Sequence, residues 1–303
     1  MKKNKKWWSI IATTTLLLLL VVGAYGYTIY NSFTDTIEAM QEPISREKSE
    51  KRLDKPALEK VDPFSVLILG VDEREGDKGR SDTIIVLTVN KKQNSIKMLS
   101  IPRDTRTEII GHGSTDKINH AYAFGGTDMS IATVENLLNI PIDYFVKVNM
   151  EGFKELVDAV GGITVQNQMN FVSDGNTFKK GALKLTGDEA LAYVRMRKQD
   201  AKGDFGRQQR QRQIIQGIIS KGTSLSSIAK YETILEALGN NIKTNINLDE
   251  MIEIQKNYIE VGRNIEQLQL KGSGKIIDGI YYLIMTDEEK QRIQNLLKEH
   301  LEL

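Results

Sequence analysis

The chain has 303 residues, of which 41 are Lys or Arg, 40 are Asp or Glu, three are His and none is Cys. The missing thiols exclude cysteine nucleophiles, thiolate metal sites and disulfides. The near-balanced charge excludes a nucleic-acid binder that works by bulk electrostatics.

From Trp7 to Thr34 there is no charged residue, and the stretch 10–30 is rich in Leu, Ile, Val, Ala and Thr. About 20 apolar residues span a bilayer, so 9–30 is expected to be a transmembrane anchor. Lys2, Lys3, Lys5 and Lys6 place residues 1–8 in the cytoplasm by the positive-inside rule, and Trp7, Trp8, Tyr25, Tyr27 and Tyr30 suit the two interfaces. The rival is a cleaved signal peptide, whose apolar region would be shorter and followed by a small-x-small site; Ala24-Tyr25-Gly26 is a poor one. A single-pass, type II protein with its bulk outside the cytoplasm is the expectation. Without the four N-terminal lysines the balance is 37 basic to 40 acidic residues. Arginines clustered in so mildly acidic a chain point to a local anion site.

Residues 31–61 are charged and poor in aromatics, and read as an extracellular spacer, helical or disordered. Residues 62–303 then remain, enough for one good core. The run 64–71 (FSVLILGV) is continuous and apolar, as in a buried strand. A charged loop follows, then strands at 83–89 and 95–101 with a turn between them. Helical spacing marks 129–139, a strand 143–148, and a helix 151–160 that Gly161-Gly162 ends. Short strands or a hairpin are expected at 163–165 and 171–178. A helix begins at Thr186-Gly187-Asp188-Glu189, and a stronger one covers 207–219. Further helices are expected at 228–238 and 248–258, a hairpin at 268–282, and a last helix opened by Thr286-Asp287-Glu288-Glu289. This rhythm predicts a layered α/β domain with helices on both faces of a sheet. Strand order is not readable from it.

The chemistry lies at the ends of these elements. Asp72 and Asp82 flank one loop between two strands that, if paired, bring both carboxylates to one sheet edge. Two carboxylates with phosphate oxygens and water make a Mg²⁺ site; salt bridges to Arg74 and Arg80 are the bland alternative. Arg103 and Arg106 follow the third strand, and Arg103 can equally pair with Asp104 or Asp82. Arg195 and Arg197 would face one way on a strand and diverge on a helix. Arg207, Arg210 and Gln211 share a helix face near its N-terminus. Cations are unfavourable at that end of the helix dipole unless an anion sits there. Asp204 either caps this helix or acts as a general base toward an attacking hydroxyl. Guanidiniums fork onto phosphate oxygens and carboxylates hold a bridging Mg²⁺, so a bound pyrophosphate is the ligand this set suits. No Gly-x-Ser-x-Gly motif and no Walker A loop is present. His120 reads as a structural hydrogen-bonder, and the apolar residues between 124 and 160 as core, although they can also line a slot for a lipid tail.

LILGVDER, RSDT, SIPRD, DKINHAYAFGG, YFVKVNMEGFKELVDAVGGI and YVRMRK…DFGRQQRQRQ, in this order, resemble the LytR-CpsA-Psr family of membrane-anchored phosphotransferases. The resemblance implies a mixed central sheet with helices on both faces, a deep apolar pocket for a polyprenyl chain, and a Mg²⁺-bridged pyrophosphate at its mouth (Mn²⁺ being a substitute). It implies Asp72 and Asp82 as metal ligands, and Arg103, Arg195, Arg197, Arg207 and Gln211 as pyrophosphate binders. Arg80 and Arg210 fall in the same motifs, with roles left open. Asp204 matches a residue considered for base catalysis, and Arg103 is grouped with it as catalytic. The implied reaction moves an anionic glycopolymer from an undecaprenyl-pyrophosphate carrier to peptidoglycan in a Gram-positive-type envelope. A polyprenyl-pyrophosphate hydrolase and a non-enzymatic envelope regulator are the competing classes. An accessory domain carried by many relatives between anchor and core is expected to be missing.

Overall fold

The computed structural model describes residues 34–73, 79–222, 239 and 241–303. The expected tail and anchor (1–8 and 9–30), Arg74 and the helix expected at 228–238 lie outside the described residues. Among the described residues, no helix is long and apolar enough to cross a membrane.

Residues 34–40 form a first helix, α1. Then come β1 (Phe64–Val71), β2 (Ser81–Asn90), β3 (Ser95–Ser100), the hairpin β4 (Arg106–Ile109) and β5 (Ser114–Lys117), and α2 (His120–Leu138). These are followed by β6 (Tyr144–Val148), α3 (Met150–Ala159), β7 (Ile163–Asn167), the hairpin β8 (Phe171–Ser173) and β9 (Asn176–Phe178), and β10 (Gly181–Leu185). The chain continues with α4 (Gly187–Arg195), α5 (Asp204–Gly222), β11 (Ile242–Thr244), α6 (Leu248–Tyr258), β12 (Ile265–Gln269), the hairpin β13 (Ser273–Ile277) and β14 (Ile280–Ile284), and α7 (Asp287–His300).

Six strands make one mixed sheet in the order β11-β6-β1-β2-β3-β12. β1, β2 and β3 meander antiparallel, while β6 joins β1 and β12 joins β3 in parallel. Alternate residues of β1 enter different clusters. Leu67, Leu69 and Val71 pack with Ile131, Val134 and Leu137 of α2 and with Ile293 and Leu297 of α7. Phe64 and Val66 pack on the other face with Met98 and Tyr258. Both faces are covered, which is why the central strands read as unbroken apolar runs. A third cluster (Val157, Ile163, Phe171, Phe178, Tyr193, Ile214) builds a lobe beside the sheet from β7–β10, α3 and α4. α5 joins the two bodies, with Ile214 in the lobe and Ile215 and Ile219 against the sheet.

Several expectations are corrected. Residues 268–282 are not one hairpin, because β12 is an edge strand of the central sheet and the hairpin lies further on. The β4–β5 hairpin was not visible, since its residues are mostly polar. α2 starts earlier than its apolar spacing suggested and is broken at Gly125 and Gly126, where Gly126 takes φ 64°. The segment expected as a spacer, helical or disordered, is helical at 34–40 and packs on the domain. Ile37 and Met40 are buried, and the charges pair with the domain. Arg52 Nε lies 2.9 Å from Asp143, and Glu135 accepts both Arg46 Nη atoms at 2.6 and 2.7 Å together with Ser49 Oγ and the Ile142 amide. The folded unit therefore includes the segment from 34 onward. The apolar residues of 129–138 lie in the core on this evidence, as Ile131, Val134, Leu137 and Leu138 are all buried.

The last helix docks through His300, which is 1 % exposed and bridges Thr88 Oγ1 (2.7 Å) and Ser95 Oγ (2.9 Å). Burial, helped by Lys97, pulls its pKa from 6.5 down to about 4. Between those values the unfolded chain binds the proton that the folded one refuses. Stability from this group is thus full above pH 6.5 and is lost as pH falls toward 4, to a limit of about 3 kcal/mol. Urea unfolding should show a lower midpoint at pH 4.5 than at pH 7, and His300→Gln should flatten that slope. An unchanged slope in the variant would assign the acid sensitivity to other groups.

Candidate active site

The site forms where β1 ends and β2 begins. Gly70 pairs with Thr83 and Val71 with Ser81, so the register skips Asp82. A bulge of this kind re-aims one side chain, and Asp82 leaves the ladder beside Asp72, the residue after β1. The Asp72 amide donates to Arg80 O at 3.3 Å, closing the loop's base. Gly70 is required here, since a Cβ would stand 2.8 Å from that of Thr83. Thr83 Oγ1 in turn accepts from Gln211 Nε2 of α5 at 2.8 Å. This bond brings the helix with the arginines over the sheet end that carries the aspartates.

Arg103 follows β3 at the same end. Its Nη1 donates to Asp82 Oδ2 at 2.8 Å, while Nε is buried with no hydrogen-bond partner. Asp104 is held by Lys117 at 2.6 Å and lies 3.9 Å from Arg103 Nε. Arg207, in the first turn of α5, puts Nη2 2.5 Å from Asp204 Oδ1, and its Nε too is buried and unpartnered. Gln208 Nε2 holds the other Asp204 oxygen at 2.8 Å.

Electrostatics places these groups within reach of one another. Burial chiefly lowers the Arg207 pKa; Arg103 and Arg197 push the same way, and Asp204 and Asp82 oppose them. Burial also works against the charge of Arg103, but Asp82, Asp104 and Asp204 outweigh it and raise its pKa. The pairs Arg103–Asp82 and Arg207–Asp204 thus lie within electrostatic reach of one another, and Arg207 also feels Arg197, with Gln211 beside them and Asp72 at the edge. Two buried guanidinium Nε–H groups without acceptors leave this cluster able to take an anion.

The remaining candidates are Arg195, Arg210 and Arg80. α4 stays helical through Arg195, so Arg195 and Arg197 diverge: Arg195 lies against Met150 Sδ and 3.7 Å from Asp174. Arg210 is buried and donates to Asp200 and the Met196 carbonyl. Arg80 is exposed on the loop. His120 accepts the structural role expected of it, with Nδ1 2.6 Å from Asp116.

Sequence reasoning missed Asn119, which is buried, donates its backbone N–H to Arg103 O at 3.3 Å, and brings its side-chain Nδ2 to 3.5 Å from Asp82 Oδ1. It also missed a polar network beside Asp72, in which Tyr122 donates to Glu73, and Lys147 Nζ lies 2.7 Å from Glu42 and 3.9 Å from Glu73. Only the nearness of these residues to the aspartates in the fold reveals them.

Among the described residues no group of three or more His, Asp or Glu side chains could hold a metal unaided. The donors fit a hard cation that shares its ligands with a phosphate. Asp82 is 44 % exposed at its side chain, and among the described residues its Oδ1 has only the long contact to Asn119. Oxygen-only donors supplemented by phosphate and water are what Mg²⁺ takes.

Residues 27–299 match the model of a family described as the LytR_cpsA_psr family. The chain is 52 % identical over 282 residues (93 % of both chains) to the polyisoprenyl-teichoic acid–peptidoglycan teichoic acid transferase TagU of Bacillus anthracis. The crystal structure of B. subtilis TagU superposes with a TM-score of 0.65 at 53 % identity, covering 80 % of this chain and 98 % of that one. A structure of TagT bound to LI-WTA superposes at 0.74 with 35 % identity, covering 87 % of this chain and all of TagT.

Proposed function

The chain belongs to the LytR-CpsA-Psr family, and from that premise we propose that it is a transferase that attaches teichoic acid to peptidoglycan. The observation that carries the reading is the cluster of Arg103 and Arg207 with Asp82 and Asp204, in which two guanidinium Nε–H groups are buried without acceptors and Arg197 lies within electrostatic reach. The relatives named as teichoic acid transferases supply the polymer, and TagT bound to LI-WTA supports a glycopolymer ligand.

The donor is a glycopolymer linked to undecaprenyl pyrophosphate, and the acceptor is a peptidoglycan hydroxyl, taken as the muramic acid 6-hydroxyl. The acceptor oxygen attacks the phosphorus that bears the saccharide. The bond from that phosphorus to the bridging oxygen breaks, a phosphodiester forms, and undecaprenyl phosphate leaves with the electron pair. The acceptor's proton goes to Asp204, which Arg207 and Gln208 hold in place. Arg103, Arg197 and Arg207 bind the pyrophosphate and neutralise the charge that grows on the leaving oxygen. Asp72 and Asp82 would hold Mg²⁺, which when bound supplies further charge neutralisation across the phosphates. Val71, Ile84 and Ile101, each within two residues of Asp72, Asp82 or Arg103, belong to the buried core. No nucleotide is consumed, since the pyrophosphate bond is already activated. The anchor at 9–30 keeps the enzyme at the outer face of the membrane, where the lipid donor is.

Purified full-length protein in detergent, given an undecaprenyl-pyrophosphate-linked saccharide, Mg²⁺ and uncrosslinked peptidoglycan, should yield a saccharide–phosphate–muramic acid adduct by mass spectrometry. Saccharide phosphate without adduct would instead identify a hydrolase, and tight lipid binding without turnover a carrier or regulator.

A further inference from the structure

Arg210 shares a motif with Arg207 but does different work. It is 5 % exposed and faces the lobe, where its guanidinium lies 5.5 Å from the centre of the Phe171 ring. Nη1 donates to Asp200 Oδ2 at 2.7 Å, and Nη2 to the Met196 carbonyl at 2.6 Å. Met196 and Asp200 stand on either side of Arg197, in the segment that links α4 to α5. Both ends of this bracket are themselves fixed. Met196 is buried and has left the helix with ψ 128°, while Asp200 packs so closely on α5 that a Cβ at Gly206 would be 1.9 Å from its Oδ2. Gln199 adds a bond from its Nε2 to Val172 O at 2.7 Å.

Arg197 needs such a hold. It is exposed, makes no ion pair among the described residues, and feels the like charge of Arg207. On a free loop its backbone would become ordered only when an anion binds. We propose that Arg210 is a positioning residue: through Asp200 and the Met196 carbonyl it fixes the backbone on both sides of Arg197 and holds that guanidinium ready at the anion site. The gain is preorganisation, since the ordering of the loop is complete before the ligand arrives. A lysine cannot replace it, because the bracket needs two donors in a fixed fork. This inference rests on the reading of Arg197 as a ligand of the donor's pyrophosphate.

The test is a double-mutant cycle on the full-length protein in detergent, with undecaprenyl pyrophosphate as the probe. Arg197→Gln and Arg210→Gln should each weaken binding about 10-fold, the scale of one charge-assisted hydrogen bond. Arg210→Lys should fall with Arg210→Gln. The double variant should bind no more weakly than Arg197→Gln alone, because Arg210 acts only through Arg197. Losses that multiply to about 100-fold would overturn the proposal, since that is independence. Hydrogen exchange guards against a folding artefact: amides of 197–203 should exchange faster in Arg210→Gln and in the milder Asp200→Asn, with α2 and the central sheet unchanged. Exchange that is unaltered at 197–203, or faster everywhere, would also overturn it. The exchange measurement uses no ligand, so failure of the wild type to bind the probe would sink the polyprenyl-pyrophosphate reading alone.

Discussion

Arg207→Ala is expected to lower kcat/KM for transfer by about 10³-fold, the upper range for loss of one preorganised donor to a developing charge. Several features make this side chain the most costly to remove. Its side chain is only 12 % exposed, and it stands in the first turn of α5 with a buried Nε that lacks an acceptor. Its positive charge is disfavoured by burial and by Arg103 and Arg197. An anion relieves that conflict, and the more charge it carries the greater the relief, so the interaction strengthens toward the transition state. Removal also leaves Asp204 without its ion-pair partner. Arg207→Lys should recover little, because an ammonium cannot direct both Nε and Nη at phosphate oxygens while facing Asp204. Single-turnover assays in detergent would measure this, and a loss below about 10-fold would exclude Arg207 from the chemical step.

Asp82→Ala should cost at least about 10²-fold in turnover and abolish the response to added metal. Chelation with EDTA should silence the wild type, Mg²⁺ should restore it and Mn²⁺ should substitute, whereas the variant should respond to neither. Folding should be little affected. The pair that Asp82 makes with Arg103 is 44 % exposed on the aspartate side, and exposed pairs contribute about 1 kcal/mol or less. A large drop in melting temperature would show that Asp82 is a structural partner of Arg103 instead. Equal loss with unchanged metal dependence would move the cation to other ligands.

The central sheet was legible because β1, β2 and β3 are buried on both faces, which leaves an unbroken apolar signal. The same logic located Asp72, Asp82 and Arg103, since adjacent strands must deliver their flanking residues to one edge. β4–β5 escaped because RTEI and STDK carry no such signal. The segment from 34 to 61 was misjudged for a different reason. It is charged and poor in aromatics, yet Arg46 and Arg52 find Glu135 and Asp143 some 90 residues away, and nothing local announces such partners. Arg210 exposes the limit of helical spacing. It lies on the same side of α5 as Arg207, but α5 packs against two bodies at once. The turn between the two arginines suffices to put Arg207 beside the sheet end and Arg210 against Phe171 of the lobe. For Arg195 the difficulty is similar, because one residue of helix more or less decides whether it points with Arg197.

The most direct test of the central claim is to follow the oxygen. The full-length protein would turn over its undecaprenyl-pyrophosphate-linked saccharide in ¹⁸O-labelled water, with Mg²⁺ and uncrosslinked peptidoglycan present. Transfer to a sugar hydroxyl predicts an unlabelled phosphodiester on muramic acid and release of undecaprenyl phosphate. Saccharide phosphate carrying ¹⁸O, formed while acceptor is in excess, would contradict it and make water the natural nucleophile of this site.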